Sequence, residues 1–296
     1  MNSAILHFVS PPVPYFIDCG RAYYGIGERH VSRNHIGVFD LIVVAKGKLN
    51  IGEGEGEWTV EPGESIILRP DGSHYGTGPC TEETEIIWIH FHTFGAWDEC
   101  AGMNKCLENQ PALMATHKRS AYLNHSELCS VFLPKYAKLK PKELEILDQF
   151  FQMEDEPRSL RNWKRQSAFQ SFIQHLDREL AAASDGTAFR LAEKVELYLR
   201  QNYTSKLTNA TLQRALNYHP NYMAKCMLKV FGKTPMDYLL HYRIEQAKKL
   251  LVQTEWSVTR IAEEVGFQHG SYFTFCFSNT EGISPLAFRK KMMGHG

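Results

Sequence analysis

The sequence predicts an α+β multidomain chain, with a small β-barrel or sandwich and accessory helices first and an all-α domain last. Three observations predict it. Short apolar runs between Gly and Pro fill residues 37–91, the signature of a barrel or sandwich of short strands. A helix, a tight turn and a second helix occur twice after residue 206, each with apolar residues at helical spacing. The net charge of zero also hides a split. From Ala188 onward there are 15 Lys+Arg against 8 Asp+Glu, a balance of +7, whereas residues 1–187 carry 18 and 25, a balance of −7. A basic C-terminal part on an acidic N-terminal part fits one domain that meets a polyanion and one that does something else.

Along the chain, Pro11, Pro12 and Pro14 argue against a helix, and Gly20, Gly25 and Gly27 add turns, so residues 1–35 read as irregular, an arm. Strands are expected at Phe39–Ala45, Leu49–Ile51, Trp58–Val60, Ser65–Pro70 and Glu85–Phe91, with turns at Gly47-Lys48, Glu61–Glu64 and Asp71-Gly72. Pro134–Pro141 reads as a linker. Glu143–Met153 and Leu160–Ala183 read as helices, broken at Glu154–Pro157, and Ala181–Ala188 is small and flexible enough to be a hinge.

The last part begins with a helix at Phe189–Tyr203. In the second copy of the pattern, Ser257 caps a helix carrying Ile261, Ala262 and Val265, and Gly266 supplies the positive φ that ends it. A helix follows over about 270–280, with Tyr272, Phe273, Cys276 and Phe277 on one face, and Gly282 and Pro285 stop it. In the first copy Leu212, Ala215 and Leu216 make the apolar face, Asn217 takes the place of Gly266, and Met223, Cys226 and Met227 match Phe273, Cys276 and Phe277. Pro235–Val252 between them is a long amphipathic helix. Such a unit places its second helix in a DNA major groove; the plainer alternative is an ordinary pair of antiparallel helices.

The order Arg243-Ile244, Ala247, Leu250-Leu251, then Ile261-Ala262, Val265-Gly266-Phe267, Ser271-Tyr272-Phe273 and Gly282-Ile-Ser284-Pro285…Arg289 resembles the DNA-binding domain of the AraC/XylS family of bacterial transcription regulators. The resemblance covers roughly the last hundred residues. It departs from the family pattern at Gln213 (usually Ala), at Asn217 (usually Gly), at Phe275 (usually Arg or another polar residue) and at Ser278 (often Lys). More loosely, Pro62-Gly63, Pro70-Asp71-Gly72-x-His74 and Trp88-Ile-His90-Phe resemble the cupin-like sensor domain of sugar-responsive members.

Taken together, these implications divide the chain into a cupin-like sensing barrel with its arm at 1–133, a helical dimerisation or linker region at 134–187, and a double helix-turn-helix domain at 188–296. The partners implied are double-stranded promoter DNA, a sugar-like effector, a second copy of the chain and RNA polymerase, with activation as the family's commoner output. Carried over from sugar-binding members, Arg33, Tyr75 and Trp88 are pocket candidates, and Arg29, His74 and His90 join them. An aromatic wall with a few polar tips suits a sugar. The plainer roles are core for Trp88, a turn brace for His74 and surface for Arg33. For DNA, the outward set on the first recognition helix is Asn221, Ala224, Lys225 and Leu228, where Asn can read adenine, Lys guanine and Ala a thymine methyl. On the second it is Gly270, Ser271, Thr274, Phe275 and Ser278. Lys229, Lys233, Arg243, Arg289, Lys290 and Lys291 are expected on phosphates.

Other classes find little support. Seven scattered Cys with no CxxC signal neither a disulfide framework nor a zinc site. No apolar run reaches membrane length and the first ten residues lack the makings of a signal peptide, so a cytosolic protein is expected. His90 and His92 have the His-x-His spacing of metal cupins, but no Glu follows within a few residues. A metal cupin enzyme fused to a DNA-targeting domain is thus the weaker alternative, and no cofactor or metal is implied. A DNA-binding protein whose barrel only dimerises is the other alternative.

Overall fold

The computed structural model describes residues 4–116, 128–153, 155–183 and 186–293. They divide into two compact units, one ending at 183 and one beginning at 186.

The first unit carries β1 (Ile5–Ser10), β2 (Tyr15–Tyr24), β3 (Arg33–Asn34), β4 (Phe39–Lys46), β5 (Leu49–Glu53), β6 (Gly56–Val60), β7 (Glu64–Leu68), β8 (Ser73–Gly76), β9 (Thr84–His92) and β10 (Trp97–Cys100). Helix α1 (Met103–Thr116), strands β11 (Cys129–Pro134) and β12 (Tyr136–Lys138), and helices α2 (Pro141–Phe151) and α3 (Arg158–Ala183) complete it. Among the described residues the strands form three sheets, ordered β10-β1-β11, β12-β7-β4-β9-β2 and β3-β8-β5-β6. No closed barrel is found among the described residues; the sheets stack face to face, which fits the sandwich that the sequence left open beside a small barrel.

The five-stranded sheet is covered on both faces. On one, Ile42, Val44, Ile66 and Ile86 meet Leu49, Ile51 and Val60 of the four-stranded sheet. On the other, Leu41, Val43, Ile87, Ile89 and Phe91 meet Leu6 and Phe8 of β1 and Phe150, Phe169 and Phe172 of α2 and α3. That is why the first six residues of β4 are all buried: a strand between two apolar layers reads as a continuous run and not as an alternation.

The first residues are no irregular arm. Ile5–Ser10 is the central strand of its sheet and is buried at all six positions, and the prolines after it only end it. Residues 134–141 are no free linker either. They hold β12, paired to β7, and Lys135, whose side chain is 2 % exposed between the carboxylates of Glu53 and Glu99.

The second unit is helical: α4 (Gly186–Gln201), α5 (Asn209–Leu216), α6 (Pro220–Phe231), α7 (Pro235–Gln253), α8 (Val258–Glu264), α9 (Gly270–Glu281) and α10 (Pro285–Met292). It has two cores. Leu191, Val195, Leu212, Met223, Met227 and Leu239 centre the first; Ile244, Leu251, Ile261, Ala262, Phe273 and Phe277 centre the second. Helix α7 gives its first half to one core and its second half to the other. Of the expected hinge, 181–183 end α3 and 186–188 begin α4, while 184 and 185, like Glu154 of the expected helix break, lie outside the described residues.

Candidate functional site

Two helix pairs in the second unit repeat the same construction. Thr208 Oγ1 accepts from the Thr211 N–H at 3.2 Å and starts α5; Ser257 Oγ accepts from the Arg260 N–H at 3.2 Å and starts α8. Each fills a main-chain donor that a helix start leaves open. The pair then reverses through a left-handed residue, Asn217 (φ 59°) in one copy and Gly266 (φ 87°) in the other. The second helices end alike, with Gly232 and Gly282 left-handed, Thr234 and Ser284 capping the next helix and Pro235 and Pro285 opening it.

The copies differ inside. Ala262 is fully buried where α8 crosses its partner, whereas the matching Gln213 is exposed and so is Ala215, which the sequence placed on the apolar face. Gly266 is also tightly enclosed. A Cβ there would lie 2.6 Å from the Tyr203 carbonyl oxygen and 2.9 Å from Arg243 Nη2. Asn217 is exposed.

These constraints fix which faces of α6 and α9 point outward. Met223, Cys226 and Met227 are buried, as are Phe273, Cys276 and Phe277. Asn221, Lys225 and Leu228 are exposed and Ala224 and Lys229 half-buried; on α9, Ser271 and Phe275 are exposed and Thr274 and Ser278 half-buried. Position by position the two faces correspond. Tyr272 departs from expectation. It is 57 % exposed, because a residue next to Phe273 in sequence is turned about 100° from it around a helix of 3.6 residues per turn. Tyr222, 39 % exposed, stands at the same place on α6. The sequence did hold a signal for this pair: the same phenol at the same position of both copies.

The basic residues separate into two groups. Lys290 and Lys291 are exposed. Arg243 is turned inward: Nε donates to the Tyr203 carbonyl and Nη2 to the Ser205 carbonyl, each at 2.7 Å, and burial holds its pKa below the usual guanidinium value. Arg289 does likewise, donating to the carbonyls of Leu251 (3.0 Å) and Trp256 (2.6 Å). Arg243 thus ties down the loop after α4, and Arg289 holds the last turn of α7 and the loop that follows it. Lys233 is half-buried, and burial lowers its pKa.

The candidate pocket residues of the first unit separate too. On β9 the side chains alternate, so Trp88 and His90 share the face of Ile86, toward the four-stranded sheet. Trp88 lies over Gly20 of β2, where an added Cβ would come within 2.4 Å of the indole. The Trp88 and His90 rings are 4.7 Å apart. His74 and Arg33, paired across β8 and β3, belong to the same region: both Arg33 and the buried Asp40 act electrostatically on His74. Tyr75 points away on the opposite face of β8, over Gly52, and donates to the Gly54 carbonyl at 3.0 Å. Arg29 is exposed on the strap before β3.

Residues that were not singled out from the sequence complete the cluster. Asp40 is 1 % exposed, and its Oδ1 lies 3.7 Å from His90 Nε2, too far for a hydrogen bond. His30 is buried, its ring 5.4 Å from that of His74 and 6.1 Å from that of Tyr24. Burial lowers the pKa of both His30 and His74, which keeps them neutral near pH 7. Asp40 Oδ1, His90 Nε2 and both ring nitrogens of His74 are buried without a hydrogen-bond partner. The sequence signal for Asp40 was a lone charge in the apolar run Phe39–Ala45. Among the described residues no three His, Cys, Asp or Glu converge closely enough to hold a metal ion, and no helix is long and apolar enough to cross a membrane.

A family profile described as "Helix-turn-helix domain" matches residues 212–291. The chain is 33 % identical over 289 residues to the uncharacterized HTH-type transcriptional regulator YisR of Bacillus subtilis, covering 96 % of each. It is 33 % identical over 93 residues to the bifunctional transcriptional activator/DNA repair enzyme AdaA of the same organism, 31 % of this chain and 44 % of that protein. Among solved structures, the C-terminal domain of the two-component response regulator yesN from Fusobacterium nucleatum is 35 % identical, covering 33 % of this chain and 95 % of that one, with a TM-score of 0.32.

Proposed function

Since the chain belongs to the AraC-type family of helix-turn-helix transcriptional regulators and is a sequence-specific DNA-binding protein, we propose that α6 and α9 enter two successive major-groove segments of promoter DNA and that the sheet-rich unit adjusts this binding to a small-molecule effector. The observation that carries the DNA reading is the position-by-position correspondence of the outward faces. Asn221, Ala224, Lys225 and Leu228 read bases from α6, and Ser271, Thr274, Phe275 and Ser278 do so from α9. Phosphate contacts fall to Lys229, Lys233, Lys290 and Lys291 and to the helix starts. Selection from random duplexes by the purified chain tests this. A common sequence should emerge; absence of any preference at every salt concentration would sink it.

The effector reading rests on the buried polar atoms around Asp40, His74 and His90 beside an indole. A sugar or sugar derivative fits that mix of apolar face and hydrogen-bonding tips. Its binding shifts the population of chains able to pair on DNA as homodimers, with activation through RNA polymerase as the output and the cytoplasm as the location. The test is a thermal-shift screen of the full chain against sugars, sugar acids and polyols, with Trp88→Ala alongside. A hit raises the melting temperature of the parent and not of the variant. A unit that serves dimerisation alone shows no hit in any class.

A further inference from the structure

The geometry points to a ligand that carries a basic nitrogen: we infer that the cluster around Asp40 takes a hydroxylated primary amine, of the amino-sugar class, with the ammonium group on the Asp40 carboxylate. The inference deepens the effector reading and rests on it.

Asp40 sits in a strand covered on both faces, where an uncompensated carboxylate is costly. Two neighbouring groups of charges are already answered. Glu53, in register with His74 across β5 and β8, is met by the buried ammonium of Lys135, which also holds Glu99 at 3.2 Å. Arg69 is engaged by Asp71 at 2.9 Å. Asp40 has no such answer. Among the described residues its one ion-pair contact is His90, at 3.7 Å, and Oδ1 accepts no hydrogen bond. Arg33 makes no ion pair with it.

The surrounding groups then define the rest of the molecule. His74, neutral in its buried place, has both ring nitrogens open, one a donor and one an acceptor. His90 adds a third open nitrogen. Hydroxyl groups, which donate and accept, satisfy all three; a simple alkylamine does not. Trp88 supplies a face on which a sugar ring stacks and toward which a cation is drawn. The indole lies against the main chain of Gly20 and beside the His90 ring. Trp88 and His90 are the half-exposed members of the cluster, which puts the entry beside them.

The test uses the full chain with glucosamine, galactosamine and mannosamine, the parent hexoses, and the N-acetylated forms, which keep the shape and lose the charge. An amine should raise the melting temperature by about 3–6 °C at ten times its dissociation constant, the N-acetylated form should not, and Asp40→Asn should abolish the rise. Asp40→Asn without ligand should melt about 2–4 °C higher, because a buried charge is removed. Equal shifts from hexoses or N-acetylated forms would overturn the amine and leave the effector reading standing. Failure of all three amines would overturn it too, and the effector reading would then be decided by the broader screen. An Asp40→Asn chain that melts lower without ligand would show a structural carboxylate and overturn the inference directly.

Discussion

The two helix-turn-helix units share a backbone and differ in almost everything laid on it. Both start on a hydroxyl cap, reverse through a left-handed residue, end on a left-handed Gly and lead into a helix opened by Pro. Yet the first presents Asn221, Lys225 and Leu228 where the second presents Ser271, Phe275 and Ser278. The first also leaves its turn open, whereas the second encloses Gly266 against the end of the preceding segment. The backbone devices satisfy helix ends and hold each pair's angle, so both copies need them. The outward side chains answer only to what they touch. The outward face of the first carries an amide and an ammonium group, that of the second hydroxyls and a phenyl ring.

The contrast can be broken most readily at the turns. Gly266→Ala forces a left-handed Ala and a Cβ into two carbonyls, and should cost about 2–4 kcal/mol. Asn217→Ala carries only the conformational term and should cost about 1 kcal/mol. Equal losses in denaturant melts would erase the distinction. Arg243→Ala and Arg289→Ala should each lower stability by about 1–3 kcal/mol, since in each case two main-chain carbonyls lose their donors. Neither should change the salt dependence of DNA binding; a slope smaller by about one would restore a phosphate role for that arginine. Lys225→Ala should weaken binding to a selected operator by about 1–2 kcal/mol and relax preference at one base pair. Phe275→Ala should weaken it by less and leave the salt slope unchanged. The smallest effects belong to the shared caps: Thr234→Ala and Ser284→Ala should each cost about 0.5–1 kcal/mol, nearly alike.

How much of this was legible follows the range of the interactions. Caps, left-handed turns and helical periodicity act over a few residues, so Ser257, Asn217, Gly266 and the buried triplet Phe273, Cys276, Phe277 could be placed from sequence. Tyr272 was misplaced because an aromatic residue beside a core Phe looks apolar until the helix is built. Of the strands over 39–91, β4, β5, β6, β7 and β9 were legible from their turn residues, and β8 was not. Strand β1 was not: its pairing partners lie at 97–100 and 129–134, and the prolines after it suggested irregular chain. Of the polar cluster, His74, Trp88, His90 and Arg33 were reachable, but Tyr75 was not separable from His74 without knowing which face of β8 is inner. Asp40 and His30 join the cluster only through strand register and a strap folded back on Gly76, contacts that no local pattern encodes.

Helix α7 runs unbroken for 19 residues from the end of one unit into the heart of the other. At about 1.5 Å and 100° per residue, it is both a ruler and a protractor. Deleting or adding a single residue within it would swing one reading head by about a quarter turn relative to its twin. On the proposed two-groove reading, the DNA has a fixed beat: two short words should lie on the same side of the double helix, and about five extra base pairs between them should carry the second word out of reach, about half a turn around the duplex.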